Sequence, residues 1–120
     1  MVDIQLDSYY FVDLLHNKGY IPQSNEEEQS RQIAHLKHLN KLTEEGIILV
    51  AGPIGGGDGV ILADMEVTNE ESLQKKLSQD PHIKAGSHTF KIRTLYVPKH
   101  SMIFTMKQYN LMMGNELKHL

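Results

Sequence analysis

Two short apolar runs flank a glycine-rich break in the middle of the chain. Ile47 to Ala51 is closed by Gly52-Pro53, Val60 to Val67 follows, and Gly55, Gly56, Gly57 and Gly59 lie between them. Neither run has the spacing of an amphipathic helix, so both read as strands, and the glycines read as a hairpin connection. A phosphate-loop reading of Gly52 to Gly59 has the wrong context. Both the P-loop and the dinucleotide fingerprint need a helix directly after the glycines, whereas Val60-Ile61-Leu62-Ala63 begins another strand.

Upstream, Tyr9 to Leu15 is short, aromatic and β-branched and stops at the polar run His16-Asn17-Lys18-Gly19, which predicts a first strand. After Pro22, Asn25 with Glu28 three positions on forms a capping pattern, and helix formers continue to Gly46, a natural carboxyl-terminal stop. Downstream, Thr68 and Asn69 open a second helix, with Leu73 and Leu77 on one face, which ends at Asp80-Pro81. His88 to Val97 alternates polar with apolar and is expected to be a strand with one face in the core. The order β-α-β-β-α-β predicts an α+β, ferredoxin-like antiparallel sheet of four strands with two helices on one face. The other sheet face is then uncovered, and a homodimer through that open face is expected.

A length of 120 residues fits one domain spanning residues 1–120. Its core is expected at about residues 9–97. Residues 101–120 form a carboxyl-terminal extension in which Ile103, Met106, Met113 and Leu117 could make one helical stripe. Apolar residues at 40%, charged residues at 22% and a mean hydropathy of -0.36 suit a folded globular chain. The net charge of -3 and pI of 6.1 supply no positive field for nucleic acid. No stretch approaches the roughly 18 apolar residues of a membrane span, and no basic leader precedes one. With no cysteine to form disulfides, the expected location is the cytoplasm, without membrane association.

The absence of cysteine also removes thiolate chemistry and sulfur-based zinc sites, which moves attention to the seven histidines. On the first helix Leu36, Leu39 and Leu42 mark an apolar arc. At about 100° per residue His35 falls within it and His38 at its edge. An inward imidazole must satisfy its nitrogens, so His35 is either a hydrogen-bonded core histidine or the acid/base group of an internal pocket. His38 reads as a solvated side chain, and no spacing supplies the third ligand that a metal would require. Asp80, before Pro81, either turns the chain or orients an imidazole. Arg31 and Arg93 read as solvated rather than as anion clamps. No nucleophile motif is present.

Three segments in order, Ala34-His35-Leu36-Lys37-His38-Leu39, Glu45-Gly46-Ile47-Ile48-Leu49-Val50-Ala51-Gly52-Pro53 and Asp80-Pro81-His82-Ile83-Lys84-Ala85-Gly86, resemble the YciI-like (YCII-related) domain over about residues 9–97. The resemblance implies a subunit that pairs sheet to sheet into a dimeric α/β barrel. It also implies an acid/base dyad of a first-helix histidine and an aspartate, here His35 and Asp80, with no cofactor. Family members often carry an acidic residue near the end of the first strand and an arginine before the helix histidine. By position these correspond to Asp13 or His16 and to Arg31, and together with Gly52 and Pro53 they are the candidate substrate-binding residues. The expected activity is isomerase- or lyase-type proton transfer on a small cyclic or aromatic substrate. The alternative is a non-catalytic ligand-binding or stress-response dimer of the same fold.

Overall fold

The computed structural model describes residues 5–101. The helical tail expected over 101–120 lies, apart from Ser101, outside the described residues. The elements are β1 (Leu6–His16), α1 (Asn25–Glu44), β2 (Ile48–Ile54), β3 (Asp58–Asp64), α2 (Glu70–Ser78), α3 (Pro81–Ala85) and β4 (His88–Pro98). The strands form one sheet in the order β2-β3-β1-β4, and every neighbouring pair is antiparallel. This is the ferredoxin-like α+β arrangement read from the sequence, with one helix more than expected. Asp80-Pro81 does not simply turn the chain. Asp80 caps α3 by accepting the His82 N–H, Pro81 occupies the first turn, and Gly86 closes it at φ 79°. Five helical residues are too few to leave a periodic apolar signal.

Other boundaries shift for local reasons. The cap of α1 is Ser24, whose hydroxyl accepts the Glu27 N–H at 3.2 Å, and Asn25 is the first helical residue. Gly52 and Pro53 do not end β2, which continues to Ile54. As β2 lies at the sheet edge, Pro53 needs no ladder partner for its missing N–H. The hairpin tip is Gly55 to Gly57, with Gly56 and Gly57 at φ 93° and 91°, conformations that other residues rarely adopt. β3 ends at Asp64, so Val67 belongs to the following turn.

Val12 and Leu14 of β1, Ile48 of β2, and Ile61 and Ala63 of β3 meet Leu42, Ile47, Leu73 and Leu77 beneath the helices. Leu73 and Leu77, expected on one face of α2, are fully buried here. The opposite sheet face carries its own apolar cluster, Leu49 and Leu62 with Tyr9, Phe11, Val60 and Leu95 around them. Arg93 crosses this face, 2.7 Å from the Asp13 carboxylate and over the Phe11 ring. Among the described residues no helix is long and apolar enough to cross a membrane.

Candidate functional site

The way α1 sits on the sheet creates the site. Leu42 is buried and Leu39 packs on the core, whereas Leu36, one turn earlier, is 54% exposed. Around Leu36, near the middle of α1, helix and sheet border a cleft of about 330 Å³. Its walls are apolar, with Leu14, Ile61 and Ile83 opposite Leu36 and Leu39. Its polar lining comes from His35, Gln32, Asp80, His82 and His88, and its rim includes Gly52, Pro53 and the hairpin residues Gly57 to Gly59. A cavity of this size and lining suits a small, largely apolar molecule held by a few polar groups.

His35 and Asp80, 45 positions apart, meet in this cleft with Nδ1 and Oδ2 at 2.7 Å. Their side chains are 12% and 3% exposed. Burial pushes the Asp80 carboxyl up. The hydrogen bond and charge of His35, the backbone N–H of His82 and the charge of His38 outweigh this, leaving its pKa below the ordinary 3.8. Asp80 is therefore a carboxylate at neutral pH, and the Nδ1–H of His35 donates to it. The basic lone pair is left on Nε2, for which no hydrogen bond occurs among the described residues. No buried side-chain nitrogen or oxygen among them lacks a partner, so Nε2 is open to solvent or ligand. The arrangement can accept a proton at Nε2 and stabilise the resulting imidazolium through Asp80.

Two histidines without a role in the sequence, His82 and His88, belong to the same neighbourhood, together with the substrate-binding candidate His16. The His82 ring lies 4.3 Å from that of His35, and the His88 ring 5.0 Å from that of His82. His16 continues the row, 5.3 Å from His88. His82 accepts from Arg31 Nε at Nδ1 (3.3 Å) and meets Gln32 Oε1 through Nε2 (2.7 Å). Its pKa falls to about 4, through burial first and then the charges of His35, His88 and Arg31, with Asp80 acting the other way. His82 is thus neutral above that pH, with its proton on Nε2. The only sequence signal for this was its place in the Asp80-to-Gly86 segment, which showed neither burial nor partners.

The remaining candidates divide. Gly52 and Pro53 line the cleft, as expected of a contact surface. Asp13 does not: strand alternation sends it to the opposite sheet face, against Arg93, while Val12 and Leu14 point toward the helices. His16 lies beyond the lining residues; its backbone N–H donates to Asp58 and its ring meets His88. Arg31 is set behind the cleft, paired with Glu28 and bonded to His82, and its side chain is only 10% exposed, so it is not a solvated surface residue. Arg93 is more than half exposed but paired. His38 is also not simply solvated, because its Nε2 meets the Lys76 carbonyl at 2.9 Å and ties α1 to α2.

Fold and site together define a ferredoxin-like α+β domain with a histidine-rich cleft between the sheet and its first helix. Among solved structures, the 5-chloro-2-hydroxyhydroquinone dehydrochlorinase TftG from Burkholderia phenoliruptrix AC1100, in complex with 2,5-dihydroxybenzoquinone, has a similar fold. The TM-score is 0.50 at 20% identity, covering 72% of this chain and 90% of that chain. The likeness concerns the fold. No protein-family model matches the chain, and no curated protein matches it.

Proposed function

We propose that the cleft is an acid/base active site in which His35 Nε2 removes a proton from a small cyclic or aromatic substrate while Asp80 holds the imidazole. The observation that carries this reading is the 2.7 Å contact between His35 Nδ1 and Asp80 Oδ2, which leaves Nε2 as the lone pair of a cleft-lining residue. In the step, a substrate C–H or O–H bond breaks and its proton passes to Nε2. The bonding electron pair is taken up by a conjugated oxygen, and return of the proton elsewhere or departure of a leaving group gives isomerase- or lyase-type chemistry. Such proton transfer is worth about 10² to 10⁴ in rate, and the step as written draws on no cofactor. The aromatic substrate named for TftG is in keeping with the apolar walls of the cleft.

On this reading the chain is YciI-like and cytoplasmic, and acts as a homodimer through the outer sheet face that carries Tyr9, Phe11 and Leu95. The test is a turnover screen of small hydroxylated or halogenated ring compounds, comparing the parent with His35→Ala. Loss of product formation in the variant is expected. Equal turnover in both would remove His35 from catalysis, and specific binding without turnover in the parent would favour a ligand-binding dimer.

A further inference from the structure

Behind the His35–Asp80 pair runs a second chain of hydrogen bonds that the proton-transfer scheme leaves unused. Arg31 Nε–H can only donate, so its bond at 3.3 Å makes His82 Nδ1 an acceptor. The His82 proton then sits on Nε2 and points to Gln32 Oε1 at 2.7 Å. With its oxygen taken, Gln32 keeps its amide NH₂, for which no hydrogen bond occurs among the described residues. Gln32 lines the cleft and stands three residues before His35 on the same helix, so the two side chains are neighbours.

We propose that Gln32 is the hydrogen-bond donor that receives the substrate oxygen, and that Arg31 and His82 are positioning residues that fix and polarise its amide. This deepens the acid/base reading above and rests on it. All the donors point one way, from guanidinium to imidazole to amide to ligand, and bonds aligned in this sense strengthen one another. As His35 takes a proton, negative charge grows on a substrate oxygen, and a preset donor at that position stabilises it. Arg31 is itself paired with Glu28, whose other oxygen accepts from the Tyr20 hydroxyl and the Gln23 N–H, so the chain transmits an oriented dipole more than a net charge. The groups facing His82 are Arg31 and His35 from α1, Asp80 ahead of α3 and His88 from β4. Three of the four disfavour a second proton on its ring, which keeps the donor direction intact. The substrate class that follows is a ring bearing an oxygen conjugated to the acidic position, such as a phenol, an enol or a cyclic ketone.

The test uses 4-nitrophenol, whose ionised form is read by absorbance, with the full-length protein and three variants. Gln32→Glu retains an acceptor for His82 but sets a carboxylate where the donor stood. It is expected to weaken binding of the phenolate at least 10-fold, the range of one hydrogen bond to a charged group, while His82 keeps its proton on Nε2. Arg31→Met is expected to weaken binding less, by about 3-fold, and to let His82 Nδ1 take up a proton at higher pH in long-range ¹H–¹⁵N spectra. Unchanged phenolate binding in Gln32→Glu, with binding still weakened by His35→Ala, overturns the donor role and leaves the acid/base reading standing. A parent that does not bind 4-nitrophenol overturns the substrate class, and a His82 ring protonated on Nδ1 at pH 7 overturns the relay.

Discussion

His35 and Asp80 come from different elements, the middle of α1 and the cap of α3, yet their side chains meet at 2.7 Å in a site closed to water on the aspartate side. One carboxylate performs two tasks: Oδ2 holds the imidazole, and Oδ1 accepts the His82 N–H that begins α3.

Replacing Asp80 by Asn retains the cap and removes the charge. We expect a loss of about 1–3 kcal/mol in stability at pH 7, the cost of weakening a buried charged hydrogen bond. The parent's pKa at this site is below 3.8, so the carboxylate's contribution is complete above about pH 4 and disappears as pH falls through the folded-state value. Urea unfolding at pH 7 and pH 3 therefore gives curves for parent and variant that are separated at the first and closer together at the second.

His82 adds a second window of the same sign at higher pH. It protonates at about 4 in the folded chain against 6.5 when unfolded, so between these values the unfolded chain holds more protons and stability rises with pH. The effect is at most about 3 kcal/mol over that interval. His82→Phe keeps a flat ring beside His35 and removes the titration. The variant should lose the slope between pH 6.5 and pH 4 in the same unfolding experiment, and an unchanged slope would assign it to another group.

The outer sheet face predicts the oligomeric state. Leu95 is half-buried in the cluster around Leu62 and stands where a second subunit would pack. Sedimentation at micromolar concentration is expected to give about twice the 13.7 kDa of one chain. Leu95→Lys is expected to move this toward the single-chain mass with the far-ultraviolet spectrum unchanged. A parent sedimenting at 13.7 kDa contradicts the dimer.

The long-period elements could be read from the sequence because each carries its own signal: the glycine break between β2 and β3, the alternation of β4, the paired leucines of α2. The short helix α3 could not, since a five-residue turn built on Asp80, Pro81 and Gly86 leaves the same marks as a loop. His35 was placed inward by the arc of Leu36, Leu39 and Leu42, although Leu36 proved half-exposed at the cleft. The partners of His82 were invisible, because Arg31 and Gln32 lie about fifty positions away and no periodicity links them. Asp13 shows the converse: its alternation with Val12 and Leu14 already set it on the face away from the helices, and motif position gave no weight to that.

Deuterium exchange reads proton removal by His35 directly. Polyhydroxybenzenes and small cyclic ketones in D₂O, followed by proton NMR, should lose their acidic C–H signals faster with the parent protein than in buffer. His35→Ala should reduce the protein-dependent rate by about 10² to 10⁴. Exchange at the same rate with parent and variant, or no faster with the parent than in buffer, would contradict proton removal by His35.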